Sequence, residues 1–109
     1  MANTFKLKTK ANVGVTTVEI YTAPASTTTV VIGITLANTS GSGVNVGGGV
    51  TRAGTTEDVK LLKNAPIPSG SSLEFMAGNK VVLEATDTVT VDSDTNNSVD
   101  AALTIMEIT

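Results

Sequence analysis

An all-β domain, a single antiparallel β-sandwich or jelly roll of about eight short strands, is what these 109 residues predict. Three observations carry that reading. Apolar residues recur at every second position through most of the chain, the period of a strand with one buried face. Clusters of Gly, Pro, Ser, Asn and Asp separate these runs at regular intervals. No stretch shows the 3.6-residue period of an amphipathic helix.

The clearest run is TTTVVIGITLAN, from Thr27 to Asn38. Val30, Ile32, Ile34 and Leu36 alternate with Val31, Gly33, Thr35 and Ala37. The first set predicts a core-facing side of a central strand, and the second a small, mildly polar opposite side.

The other elements follow in order. Thr4 to Thr9 alternates Phe5 and Leu7 with Lys6 and Lys8 and reads as an edge strand. Ala11 to Gly14 is a turn. Val15 to Thr22 is a strand with Val18 and Ile20 on one side and Thr17, Glu19 and Tyr21 on the other. Pro24 ends it, having no N–H to donate. Thr39 to Gly43 is a turn of small residues. Val44 to Arg52 is a strand with Val44, Val46 and Val50 on one side, interrupted by Gly47, Gly48 and Gly49. Those glycines predict a bulge or a close backbone approach, which a neighbouring subunit could supply.

Ala53 to Thr56 turns the chain into a strand from Glu57 to Lys63. Asn64 to Ser72 reads as the longest irregular stretch, stiffened by Pro66 and Pro68 on either side of Ile67. Ile67 there is an apolar anchor, for its own core or for a partner. Short strands follow at Leu73 to Ala77, Lys80 to Ala85 and Thr88 to Asp92, with turns at Gly78–Asn79 and Thr86–Asp87. After the polar loop Ser93 to Ser98, Val99 to Ile108 places Val99, Ala101, Leu103, Ile105 and Glu107 on one side, with Met106 and Ile108 on the other.

Composition bounds the function. A net charge of −3 and a pI near 4.7 argue against nucleic acid as a partner. The basic row of Lys6, Lys8 and Lys10 reads as the solvated face of an edge strand. Without Cys or His there is no disulfide, thiolate or imidazole ligand. Aromatic residues make up 3% of the chain, too few for the usual sugar platform or small-ligand pocket. The start, MANTFKLKTK, has no apolar run, so no signal peptide is expected. No segment reaches the ~20 apolar residues of a membrane span.

Candidate chemistry is sparse. Asp92, Asp94 and Asn96 have the spacing that opens a calcium loop, but Asn97 and Leu103 stand where such a loop needs Gly and Glu, so a solvated turn is expected. Glu84 and Asp87 flank a turn rather than a cleft. Ser69, Ser71 and Ser72 lack a base. No catalytic residue, cofactor or metal is predicted.

Three segments together carry a resemblance: IYTAPASTTTVVIGI from Ile20 to Ile34, KNAPIPSGSSL from Lys63 to Leu73, and VVLEATDTV from Val81 to Val89 with the ending MEIT. The chain resembles small virion structural proteins of tailed bacteriophages, of the marine and cyanobacterial type. In similar proteins a Gly-Asp often precedes the penultimate strand, where this chain has Thr86-Asp87. The resemblance implies a non-enzymatic virion component, present in many copies and made in the host cytoplasm. Its implied partners are capsid or other virion proteins and copies of itself, with no nucleic acid and no membrane. Capsid decoration is the leading expectation. Pro66, Ile67, Pro68 and Gly47 to Gly49 are its candidate partner-binding residues. A tail, neck or fibre component, or a host-surface module binding glycan or receptor, are the alternatives.

Overall fold

The structure, a computed structural model, describes residues 3–54, 57–75 and 80–109. The turn expected at Gly78–Asn79, and Thr55, Thr56, Met76 and Ala77, lie outside the described residues. Nine strands occur among those described: β1 (Asn3–Val13), β2 (Val18–Thr22), β3 (Thr28–Asn38), β4 (Val44–Thr51), β5 (Asp58–Ile67), β6 (Ser72–Phe75), β7 (Val81–Leu83), β8 (Thr88–Ser93) and β9 (Val99–Ile108).

They form two antiparallel sheets. One has the order β1-β9-β3, with β6 and β7 in tandem along the far side of β3. The other has the order β2-β8-β4-β5. The chain alternates between sheets from β1 to β4, makes the β4–β5 hairpin, and returns through β6 and β7, β8 and β9. First and last strands are neighbours. This is jelly-roll connectivity, which hydrophobic alternation alone could not separate from other sandwiches.

The inner faces are aliphatic, as the composition demands. Ile34, Leu36, Leu83, Leu103 and Ile105 pack with Val46, Val89 and Val91 and are essentially inaccessible. β9 alternates as expected, with Val99, Ala101, Leu103, Ile105 and Glu107 all buried.

Two expectations need correction, each because of a bulge. On β3 the register against β9 advances two residues from Val31 to Gly33 while β9 advances one, so Ile32 is the extra residue. Parity therefore flips: Val31 is buried with Ile34 and Leu36, while Val30 and Ile32 are only partly covered. On β2 the same irregularity at Ile20 turns Tyr21 into the core.

β5 also runs further than its prolines suggested, through Ile67. Pro66 pairs opposite Asn45 on a strand with no neighbour on its other side, where a missing N–H costs no ladder bond. β1 likewise continues past the expected turn, to Val13.

Candidate interaction surfaces

The candidate partner-binding residues fall in two places. Gly47, Gly48 and Gly49 are buried in β4, between β8 and β5. The extra residues lie opposite them on β5, one step between Leu62 and Ala65 and one between Lys60 and Leu62. A Cβ at Gly49 would run into the carbonyl oxygen of Val59, and one at Gly47 would lie 2.6 Å from Asp92 Oδ1. The close backbone approach is thus made by this chain's own β5. Ile67 is 1% exposed and belongs to the core, while Pro66 and Pro68 beside it are exposed. Asn38 holds this corner. Its Nδ2 donates to the carbonyls of Ile67 (2.9 Å) and Ser42 (2.8 Å), and its Oδ1 accepts from Ser40 N and Oγ.

The acidic loop is spent on the fold. Asp92 Oδ2 accepts from Thr17 Oγ1 at 3.0 Å. Asp94 Oδ1 accepts from the Asn45 amide, and Asn96 Oδ1 accepts from the Val15 amide. Each side chain ties the loop to a different segment. Asp100 likewise caps the bulge of β1, accepting from Asn12 N.

Asp87 is 2% exposed and organises its turn. It accepts from the amides of Glu84 (3.0 Å) and Ala53 (3.2 Å). Arg52 Nε lies 2.9 Å from Asp87 Oδ2, an ion pair in which the N–H is not aimed at the oxygen. The Arg52 guanidinium also pairs with Glu84. Thr86 sits before it at φ 69°, a left-handed conformation unfavourable for a β-branched residue.

A buried polar group that the sequence did not reveal links the two sheets. Tyr21 Oη donates to Glu107 Oε2 (2.6 Å) and lies 2.8 Å from Thr29 Oγ1. Lys6 Nζ reaches Glu107 Oε1 at 2.8 Å. The bonds from Lys6 and then Tyr21 hold the Glu107 carboxyl below its usual range. Burial first, then the bond to Glu107, pushes Tyr21 up to about 12.

The lysines of β1 fall on the core side of the sheet. Lys6, Lys8 and Lys10 pair with Ile105, Leu103 and Ala101, which are buried. Phe5 and Leu7 therefore point outward, 68% and 65% exposed. In the other sheet a hollow of about 210 Å³ lies over Gly47, bordered by Lys60, Lys63, Asn64 and Asp92.

A jelly-roll sandwich with exposed apolar residues on both sheets, the most open of them Phe5 and Leu7 of β1, is the class these features define. No protein-family model and no curated protein sequence matches the chain. Solved structures share its fold. A chain of Bacillus endospore appendages, described as a family of disulfide-linked pili, superposes with a TM-score of 0.59 at 17% identity, covering 99% of this chain and 87% of that one. A chain of the T13 infectious bursal disease virus (IBDV) particle gives 0.57 at 10% identity, covering 96% and 30%. One from the Gx strain of the same virus gives 0.56 at 11%, covering 98% and 32%. This chain spans about a third of the length of those two viral chains.

Proposed function

We propose that the chain is a non-enzymatic structural subunit of a virion of the tailed-phage type, decorating the head and bridging neighbouring capsid subunits. The carrying observation is how its polar side chains are used. Asp87, Asp92, Asp94, Asp100 and Glu107 are each engaged in bonds between strands or within turns. What the fold leaves to other molecules is sheet face, edge strands and turns. The resemblance of the three segments to phage virion proteins supports the reading, and so does the use of the same fold in viral particle chains. Contacts to the capsid would run through the edge of β5 and the exposed Pro66 and Pro68, since Ile67 is committed to the core.

A second reading has its own support: the pilus chain is matched over nearly the full length of both proteins. It makes this chain a subunit of a tail or other filament. The 109 residues contain no cysteine, so such a filament would be held without disulfides through them.

Adding the purified chain to particles or empty heads that lack it separates the two. Decoration predicts saturable binding to heads and a higher disruption temperature, weakened by Pro68→Asp with folding unchanged. Binding to tails alone, or to neither, contradicts it.

A further inference from the structure

We propose that the outer face of the β1-β9-β3 sheet is a homotypic interface, on which a second copy of this chain packs face to face about a two-fold axis. This goes beyond the virion reading and does not depend on it, since a head, tail or filament subunit could pair in this way.

The register defines the face row by row. Phe5, Met106, Val30 and Val82 are aligned across four strands, and Leu7, Thr104 and Gly33 form the next row. Thr9, Ala102 and Thr35 follow, then Asp100 and Ala37. The first row is bulky and open, with Phe5 at 68% and Val82 at 59% exposure. Ile108 and Ile32 flank it, half-buried. The rows beyond Leu7 carry smaller side chains and border a hollow of about 310 Å³ whose lining includes Thr9, Lys10, Thr35, Ala37, Asp100 and Ala102.

Charge stays off the middle of this face and lies at one end of it. No residue of β3 is ionisable, and Ala102, Thr104, Met106 and Ile108 of β9 are neutral, while Asp100 of β9 and Glu74 of β6, opposite Ala37 and Thr35, are the acidic groups at that end. In a chain with seven basic and ten acidic residues, an uncharged centre with acidic groups at its margin is the pattern of an interface rather than of a solvated sheet. The neighbouring edge is guarded differently. The lysines of β1 sit on its core side, the arrangement that discourages edge-to-edge strand pairing. The sheet is closed to partners at that edge and open to them on its face.

Shape selects the occupant. Bulk and hollow lie on one face, on opposite sides of the Leu7–Thr104–Gly33 row. A two-fold axis along that row, in the plane of the interface, sets the Phe5–Met106–Val30 row of each copy over the hollow of the other, an isologous contact. The sheets would cross at the aligned angle of about 30°. Four strands at ~4.8 Å spacing and roughly eight residues at ~3.3 Å give a footprint of roughly 500 Å² before side-chain relief is added. That is of the order of the ~800 Å² per partner found in stable complexes.

Sedimentation equilibrium of the full chain tests this. A concentration-dependent dimer is expected. Phe5→Glu and Gly33→Arg should each weaken it about tenfold or more, with unchanged circular dichroism; a Cβ at Gly33 meets nothing within 4 Å. Val59→Glu, on the other sheet, should leave it intact. Thr104→Cys places a thiol on the axis of a chain without cysteine, so mild oxidation should yield a covalent dimer, and Val59→Cys should not. A monomer at every concentration, a dimer indifferent to Phe5→Glu and Gly33→Arg, or cross-linking through Val59→Cys instead of Thr104→Cys would each overturn the proposal. A monomer whose Phe5→Glu variant loses binding to particles would give the face to another partner and overturn it too.

Discussion

Tyr21 on β2 and Glu107 on β9 are joined across the sandwich by a 2.6 Å hydrogen bond, 86 residues apart in sequence. Both are buried, and a buried carboxylate is tolerated only when its oxygens are occupied. Tyr21 serves one oxygen and Lys6 the other. Removing the hydroxyl with Tyr21→Phe leaves Glu107 short of a donor in place. We expect a loss of about 2 kcal/mol by chemical denaturation.

The same group makes stability depend on pH, with a definite sign. The folded state lowers the Glu107 pKa. Its contribution is therefore full above the unfolded value of about 4.3 and disappears as pH falls through the folded value. Denaturation midpoints measured from neutral pH down to about pH 3 should decline, and Glu107→Gln should flatten part of that slope. Tyr21 acts at the other end: its raised pKa favours folding below about pH 10, and that share is lost as pH rises toward 12.

Thr86 holds φ at 69° ahead of the buried Asp87. Glycine accepts that conformation freely, though it costs more entropy on folding. Thr86→Gly should raise stability by about 0.5–1 kcal/mol, read as a higher midpoint at constant m-value. A lower midpoint would show that the turn does not carry the strain.

Asp87 is the reverse case. Asp87→Ala removes the acceptor of two amides and the partner of Arg52. A loss of about 2 kcal/mol is expected in thermal or chemical unfolding, because two backbone amides and the solvent-shielded Arg52 Nε lose the carboxylate that organises the turn.

Two glycines should behave oppositely. Gly49→Ala drives a methyl into the Val59 carbonyl, so β4 and β5 must separate at a cost of about 2 kcal/mol or more. Gly33→Ala meets open space and should be neutral or slightly stabilising in the monomer. Unfolding curves of the two variants side by side check the contrast.

How much of this was legible follows from where the period holds. Val99 to Ile108 has no bulge, and its bounds and faces were readable from alternation. In β3 the same reasoning succeeds from Ile34 onward and fails before it, because nothing in VVIG announces that Ile32 is the extra residue. Pro66 concealed the continuation of β5, since only topology reveals that its missing N–H faces no neighbour. The lysine row was visible, but its side of the sheet was not, because an edge strand can overhang the core. The Tyr21–Glu107–Lys6 group joins three strands distant in sequence, which no local pattern encodes. The outer face became apparent only when register placed Phe5, Met106, Val30 and Val82 in one row.

The most direct test of the proposed head-decoration role is immunogold labelling of tailed-phage particles assembled in the presence of this chain, with an antibody to the purified protein. Label spread over the head is the predicted result. Label confined to the neck or tail, or absent from particles altogether, would contradict it.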